Sequence, residues 1–289
     1  MKIIYLQNGM HHKNHHAMIN YKNIQLFFIN NPKDLDSIDL TQFDCVYSPA
    51  TPIDVLKYPK TKFIFGPHFS VFPIEDQIKM IKCKNAVYNL LCPWVINSWK
   101  PYSISNDLNI VNFPFGVDTQ RFNNDEYQNK TEILIYYKHR HPSELEFICK
   151  ELNNLSIRYS IFSYKHRYDE NTYIEYLKKT KYCIWIDAHE SQGFALQEAL
   201  SCNVPLLVWN VVSMNQEYGQ NHNDISATTI PHWDARCGEV FYNKNDFKTS
   251  FNTFLSKLKS YKPRDFILEN LTFDICETKL INTINNITV

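Results

Sequence analysis

The sequence has no surplus of charge of either sign: Lys+Arg and Asp+Glu stand at 30 each in 289 residues. That balance removes the global field that would draw nucleic acid, an anionic membrane or a polyanionic substrate, so any anion has to be bound locally. Long apolar runs are also missing. The opening MKIIYLQNGMHHKNHH turns polar after a few residues, too soon for a signal-peptide core or a membrane-spanning helix. The expectation is a mature chain that begins at Met1, a cytoplasmic location and no integral membrane segment. The eight cysteines, at 45, 83, 92, 149, 183, 202, 237 and 276, form no Cys-x-x-Cys pair. Several lie inside apolar runs, which predicts buried free thiols in a reducing compartment and argues against a disulfide framework or a zinc site. Glycine is scarce, with six in the chain, and there is neither a low-complexity linker nor a solenoid period.

What is present is patterned apolar content. At 44% hydrophobic, the chain can fill the cores of one large or two small α/β domains. Short apolar runs recur at 3–6, 24–29, 45–47, 63–65, 87–91 and 110–113, and again at 132–137, 158–162, 183–187, 205–209 and 239–242. Such runs predict strands buried on both faces. Helical spacing or capping residues separate many of them, at 75–82, 93–100, 144–152, 172–179 and 194–200. Alternation of strand with helix predicts parallel sheets covered by helices.

The two series of runs are interrupted over 112–124, where Pro114, Gly116 and a polar stretch break the pattern. This predicts domains at 1–117 and 118–289. Phe247, Phe251, Phe254, Leu255 and Leu258 share one helical face over 246–258, with Asp246 or Asn245 as the cap. A final helix is expected over 273–284, a candidate to pack back on the first domain. Tyr-Lys-His-Arg occurs twice, at 137–140 and 164–167, each time directly after a predicted strand.

The stretch YCIWIDAHESQGFALQEALSCNVPLLVWN, residues 182–210, carries the most chemistry. A buried strand ends near Asp187, a polar loop holds Glu190 and Gly193, and a helix opens at Phe194. In an open parallel sheet such a loop lies at the carboxyl edge, where ligands bind. Gly193 permits close backbone approach, and the helix start offers N–H groups and partial positive charge to a diphosphate. Glu190 and Glu198 then provide carboxylates that accept hydrogen bonds from vicinal hydroxyls.

This string resembles the Glu-x7-Glu donor-site motif of GT-B glycosyltransferases, especially the retaining group called family 4. Glu190, Gly193, Glu198, Ala199 and Pro205 match, and Asn203 stands where that family usually has glycine, a replacement that tolerates the left-handed geometry. Phe113-Pro114-Phe115-Gly116-Val117-Asp118, continuing to Phe122, resembles the segment joining the family's two domains. The resemblance implies an α/β fold of two Rossmann-like GT-B domains facing a central cleft.

By that resemblance, Glu198 holds the nucleotide ribose, Glu190 contacts the transferred sugar, and the backbone of Gly193, Phe194 and Ala195 meets the diphosphate or sugar. Lys138 and Arg140 are the basic candidates, two apart and able to project alike from extended chain. Tyr164 and Lys165, in the second Tyr-Lys-His-Arg, are cleft candidates. In the first domain stand Gly9, in a loop after the first strand that approaches the donor phosphate and the acceptor, His15 or His16 at the start of the next helix, and His68 after the fourth strand, near the transferred sugar.

The histidines at 11–16 have no acidic or cysteine partner nearby in sequence, so no metal and no other cofactor is expected. The expected activity is transfer of a sugar from a UDP- or GDP-linked donor to a hydroxyl of a glycan, lipid-linked or protein acceptor, with retention. Two alternatives use the same fold: a nucleotide-sugar epimerase, and a catalytically silent sugar-nucleotide-binding subunit.

Overall fold

A computed structural model describes residues 1–123, 130–164 and 169–289. The chain divides into two units, one formed by Met1–Gly116 with Leu271–Val289 and the other by Val117–Asn270. In the first, strands β1 (Lys2–Leu6), β2 (Gln25–Ile29), β3 (Cys45–Ser48), β4 (Phe63–Phe65), β5 (Ala86–Asn89) and β6 (Ile110–Val111) form one sheet in the order β2-β1-β3-β4-β5-β6. Every pairing is parallel, and Ile4 lies opposite Phe27 on one side and Val46 on the other. Ile3, Ile4, Tyr5 and Leu6 are all buried, as a strand covered on both faces requires.

One face of this sheet packs Ile4, Leu6, Val46, Phe63, Phe65 and Tyr88 with Trp99. Each such side chain contributes roughly 1.5–3 kcal/mol by leaving water. Helices α1 (His12–Ile19), α2 (Glu75–Ile81) and α3 (Pro93–Trp99) follow β1, β4 and β5.

The second unit repeats the plan. Strands β7 (Glu132–Tyr137), β8 (Ser160–Ser163), β9 (Thr180–Ile186), β10 (Leu206–Trp209) and β11 (Gly238–Phe241) run parallel in the order β11-β10-β9-β7-β8. Helices α4 (Pro142–Asn154), α5 (Glu170–Lys179), α6 (Phe194–Ser201), α7 (Phe247–Lys257) and α8 (Pro263–Asn270) complete it. In both units the first strand lies between the second and the third, so the winding reverses beside it. The reversal leaves a crevice at the carboxyl ends of those central strands, where open α/β sheets bind ligands.

The last helix, α9 (Phe273–Asn286), belongs to the first unit. Its buried Glu277 accepts from the Asn23 backbone N–H at 2.5 Å and from Asn23 Nδ2 at 3.0 Å. Two elements differ from the sequence expectation. Helix α1 begins at His12, with the His11 ring accepting from Lys13 N at 3.3 Å, so His15 and His16 lie within the helix and do not open it. Helix α8, which buries Pro263, Phe266 and Ile267, was not expected from the sequence. It is anchored through Arg264, whose Nη1 donates to the Ser201 carbonyl at 2.6 Å and the Phe122 carbonyl at 3.0 Å. Among the described residues no helix is long and apolar enough to cross a membrane.

Candidate functional site

The crevice of the second unit lies where β7 and β9 end. The Lys138 N–H donates to the Ile186 carbonyl at 2.9 Å, carrying the pairing of the two strands one step beyond Tyr137. The Lys138 ammonium pairs with Glu190 Oε1, lies 3.8 Å from Asp187 Oδ2, and sits 5.1 Å from the centre of the Tyr164 ring. Burial opposes the charge on Lys138, but the carboxylates of Asp187 and Glu190 more than offset that and raise its pKa. Lys138 is therefore a fixed cation at any working pH. Asp187 is shifted upward, first by burial and then by Glu190, with Lys138 acting against both.

The loop that carries Glu190 is tied down from beneath. Its backbone N–H donates to the Thr228 carbonyl at 3.0 Å. Asn210, just past β10, accepts from Thr228 Oγ1 at 2.9 Å and Thr229 N at 2.8 Å, and Thr229 Oγ1 donates to the Asp187 carbonyl at 3.2 Å. Gln192 and Gln197 are both buried and bonded to each other. Gly193, at φ +75°, precedes α6 in the left-handed region, and no side chain caps the helix start. A residue with a β-carbon would be strained there. The first N–H groups of α6, near Phe194 and Ala195, keep the anion-binding character of a helix terminus. Tyr173 holds that turn by donating to the Ala195 carbonyl at 2.7 Å. Glu198, on the second turn, is buried. Asn203, just past α6, takes φ +56°, the left-handed geometry for which asparagine substitutes for glycine.

Arg140 has a different place from the one expected. The residue is 1% exposed. Its guanidinium donates to Glu144 through Nε (2.8 Å) and Nη2 (2.7 Å), and to the carbonyls of Asp187 (3.1 Å) and Trp209 (2.9 Å) through Nη1. A side chain so enclosed and so fully bonded is an anchor for the strand ends, which leaves Lys138 as the basic group of the crevice. Tyr164 stands beside Lys138 as described, whereas Lys165 lies outside the described residues.

In the first unit the crevice lies beside β1 and β3. Gly9 has φ +74°, and a β-carbon there would lie 2.4 Å from that of Ala50, so the loop after β1 passes against the loop after β3 only as glycine. His68 follows β4, bonds through its backbone N–H to the Pro49 carbonyl at 2.8 Å, and lies 2.9 Å from the buried Asn14 amide through Nε2. The His15 ring stacks on Tyr5 at 5.8 Å between centroids. His16 is exposed and meets Phe273 at 5.9 Å, so it does not join His68 and Asn14. The tripeptide Asp34-Leu35-Asp36 has metal-ligand spacing, yet its carboxylates accept from Asn31 N at 3.1 Å and the Tyr58 hydroxyl at 2.6 Å, a turn-capping role.

Burial pushes the His68 pKa down to about 4. A histidine whose folded pKa lies below its unfolded value supports the fold fully above the unfolded value, near 6.5, and loses that support as pH falls toward 4. The expected contribution is roughly 3 kcal/mol, found as the pH-dependent part of stability missing from His68→Asn. Denaturant midpoints of both chains between pH 7.5 and 4.5 measure it; parallel curves would contradict a buried neutral ring.

Asp187, Asn210, Thr228 and Thr229 were not singled out by sequence. Asp187 and Asn210 each lie one residue past the end of a strand, the one signal that could have found them. No known family profile and no curated protein matches the sequence. Solved structures match its fold. The lipopolysaccharide outer core galactosyltransferase WaaB in its apo form is 14% identical with 99% of each chain covered and a TM-score of 0.52. The N-terminal domain of Candida albicans trehalose-6-phosphate phosphatase is 9% identical over 100% of this chain and 97% of that one, at 0.59. The pneumococcal O-GlcNAc transferase GtfA, in complex with UDP and GlcNAc, is 13% identical over 89% of this chain and 58% of its own, at 0.51. The likeness is one of fold: two parallel-sheet units of GT-B type.

Proposed function

We propose that the chain is a glycosyltransferase that moves a sugar from a UDP- or GDP-linked donor to an acceptor hydroxyl with retention at the anomeric carbon. One observation carries the reading: Lys138 meets Glu190 and Asp187 at the crevice between β7 and β9, beside a helix start that no side chain caps. A nucleotide diphosphate needs that combination of a fixed cation and a helix start. Glu190 then takes hydroxyls of the transferred sugar and Glu198 those of the ribose, as the Glu-x7-Glu resemblance implies. A fold neighbour described in complex with UDP and GlcNAc supports the donor class.

As the bond to the diphosphate breaks, negative charge grows on the leaving oxygen. Lys138 and the amides at Phe194 and Ala195 stabilise it without having to reorganise. The first unit supplies the acceptor side through His15 and His68, and the resemblance assigns Gly9 to the donor phosphate. His68, neutral near pH 7, offers a hydrogen-bonding ring on that side.

Glu198→Gln tests the assignment. Trading a carboxylate for an amide removes charge-assisted hydrogen bonds worth about 1.5–3 kcal/mol, an expected loss of roughly 10–100-fold in donor affinity by calorimetry. Unchanged affinity for the preferred donor would remove Glu198 from the site. An epimerised nucleotide sugar formed from donor alone would favour the epimerase alternative.

A further inference from the structure

Three side chains unused by this reading converge between the β9 loop and the segment joining β10 to β11. His189 directly precedes Glu190, Glu217 follows the helical turn Met214–Gln216, and His222 lies a little further along. Among the described residues this is the one set of histidine, cysteine and carboxylate side chains whose ligand atoms all fall within 4.8 Å of one another. Glu217 Oε2 is 3.1 Å from His222 Nε2 and 3.7 Å from His189 Nε2. Ligands around a tetrahedral zinc ion, at bonds near 2.0–2.1 Å, are separated by about 3.3 Å. The observed spacings bracket that value. The two imidazoles meet edge to face, at 80° and 5.4 Å between centroids, so both offer nitrogen toward one carboxylate oxygen.

The carboxylate is itself oriented. Its other oxygen, Oε1, lies 3.1 Å from His139 Nδ1. His139 is held by a left-handed backbone at φ +50° and by the Tyr218 N–H, which donates to its carbonyl at 2.9 Å. Such outer partners fix the direction of a ligating group. The cluster is partly enclosed: side-chain exposure is 14% for His189 and Glu217 and 26% for His222, so an ion can enter from the His222 side.

We propose that His189, Glu217 and His222 form a binding site for a divalent transition-metal ion, zinc in class, that ties the β10–β11 segment to the loop carrying Glu190. Two imidazoles and a carboxylate make a borderline-hard donor set suited to Zn²⁺ over Mg²⁺ or Ca²⁺. The ion takes no part in the transfer proposed above. It holds the backbone beside Glu190, and it runs against the sequence expectation of no metal, which rested on the scattered cysteines and the histidines at 11–16.

The test uses the tag-free chain and ZnCl₂ alone, without donor, so its outcome is independent of the proposed activity. Calorimetry should show one equivalent of Zn²⁺ per chain. Co²⁺ in its place should give the visible absorption of a four-coordinate site, and Zn²⁺ should raise the melting temperature. His222→Ala and Glu217→Gln should each weaken binding at least tenfold and abolish the thermal shift, with far-UV circular dichroism confirming that each is folded. His222→Gln, which keeps more of the side chain, serves if the alanine variant unfolds. Absence of stoichiometric binding overturns the proposal. So does binding that survives these changes and disappears when His11, His12, His15 and His16 are replaced together.

Discussion

Lys138→Met is expected to lower kcat by about 10²–10³-fold with a much smaller change in KM, the loss seen when one preorganised group facing developing negative charge is removed. Methionine keeps most of the aliphatic length and discards the charge, so packing against Tyr164 is largely retained. The ammonium matters most when the diphosphate departs, because the ground-state donor still has the helix start of α6 and both glutamates. A uniform loss of binding would raise KM alone. Single-turnover measurement with saturating donor separates the two, and an unchanged chemical step would take Lys138 out of the reaction. The variant also leaves Asp187 and Glu190 without their cation, so its folded fraction has to be checked first.

The second large effect falls on stability. Arg140→Leu is expected to destabilise the second unit by about 3–5 kcal/mol, the cost of removing one partner from a buried ion pair. Leucine cannot replace the donors that Arg140 sends to Glu144 and to the carbonyls of Asp187 and Trp209, so Glu144 loses its pairing and two strand ends lose their tie. Chemical denaturation followed by tryptophan fluorescence measures this, since Trp185 and Trp209 lie in that unit. Donor affinity per folded molecule should change far less than in Glu198→Gln. A stable variant with abolished donor binding would instead return Arg140 to the site.

The contrast between Lys138 and Arg140 shows why part of the site could be read from sequence and part could not. Both were expected to project alike because alternate residues of extended chain share a face. His139 between them adopts φ +50°, which turns the chain and sends Arg140 into the core. No residue type at 139 announces that turn. The strands, by contrast, were legible because burial on both faces demands unbroken apolar runs, as in 132–137 and 183–187. Helix α1 was harder, since His-Lys-Asn-His-His gives little apolar periodicity and only Asn14, Ala17 and Met18 are buried. Glu190 and Glu198 were found through their ordered setting of strand, glycine loop and helix. Asp187 and Asn210, and the trio His189, Glu217 and His222, are joined by the winding of the sheet and not by spacing along the chain.

The division of the chain has a consequence for its synthesis. Val117–Asn270 is one continuous stretch, whereas the first unit is completed only by Leu271–Val289. As the polypeptide leaves the ribosome, the sheet from β1 to β6 emerges before the second unit, but Asn23 waits for Glu277 until the whole of that unit has been added. The second unit meanwhile has every residue it needs, and domains fold as they become available. Of the two units, the one begun earlier is therefore completed later.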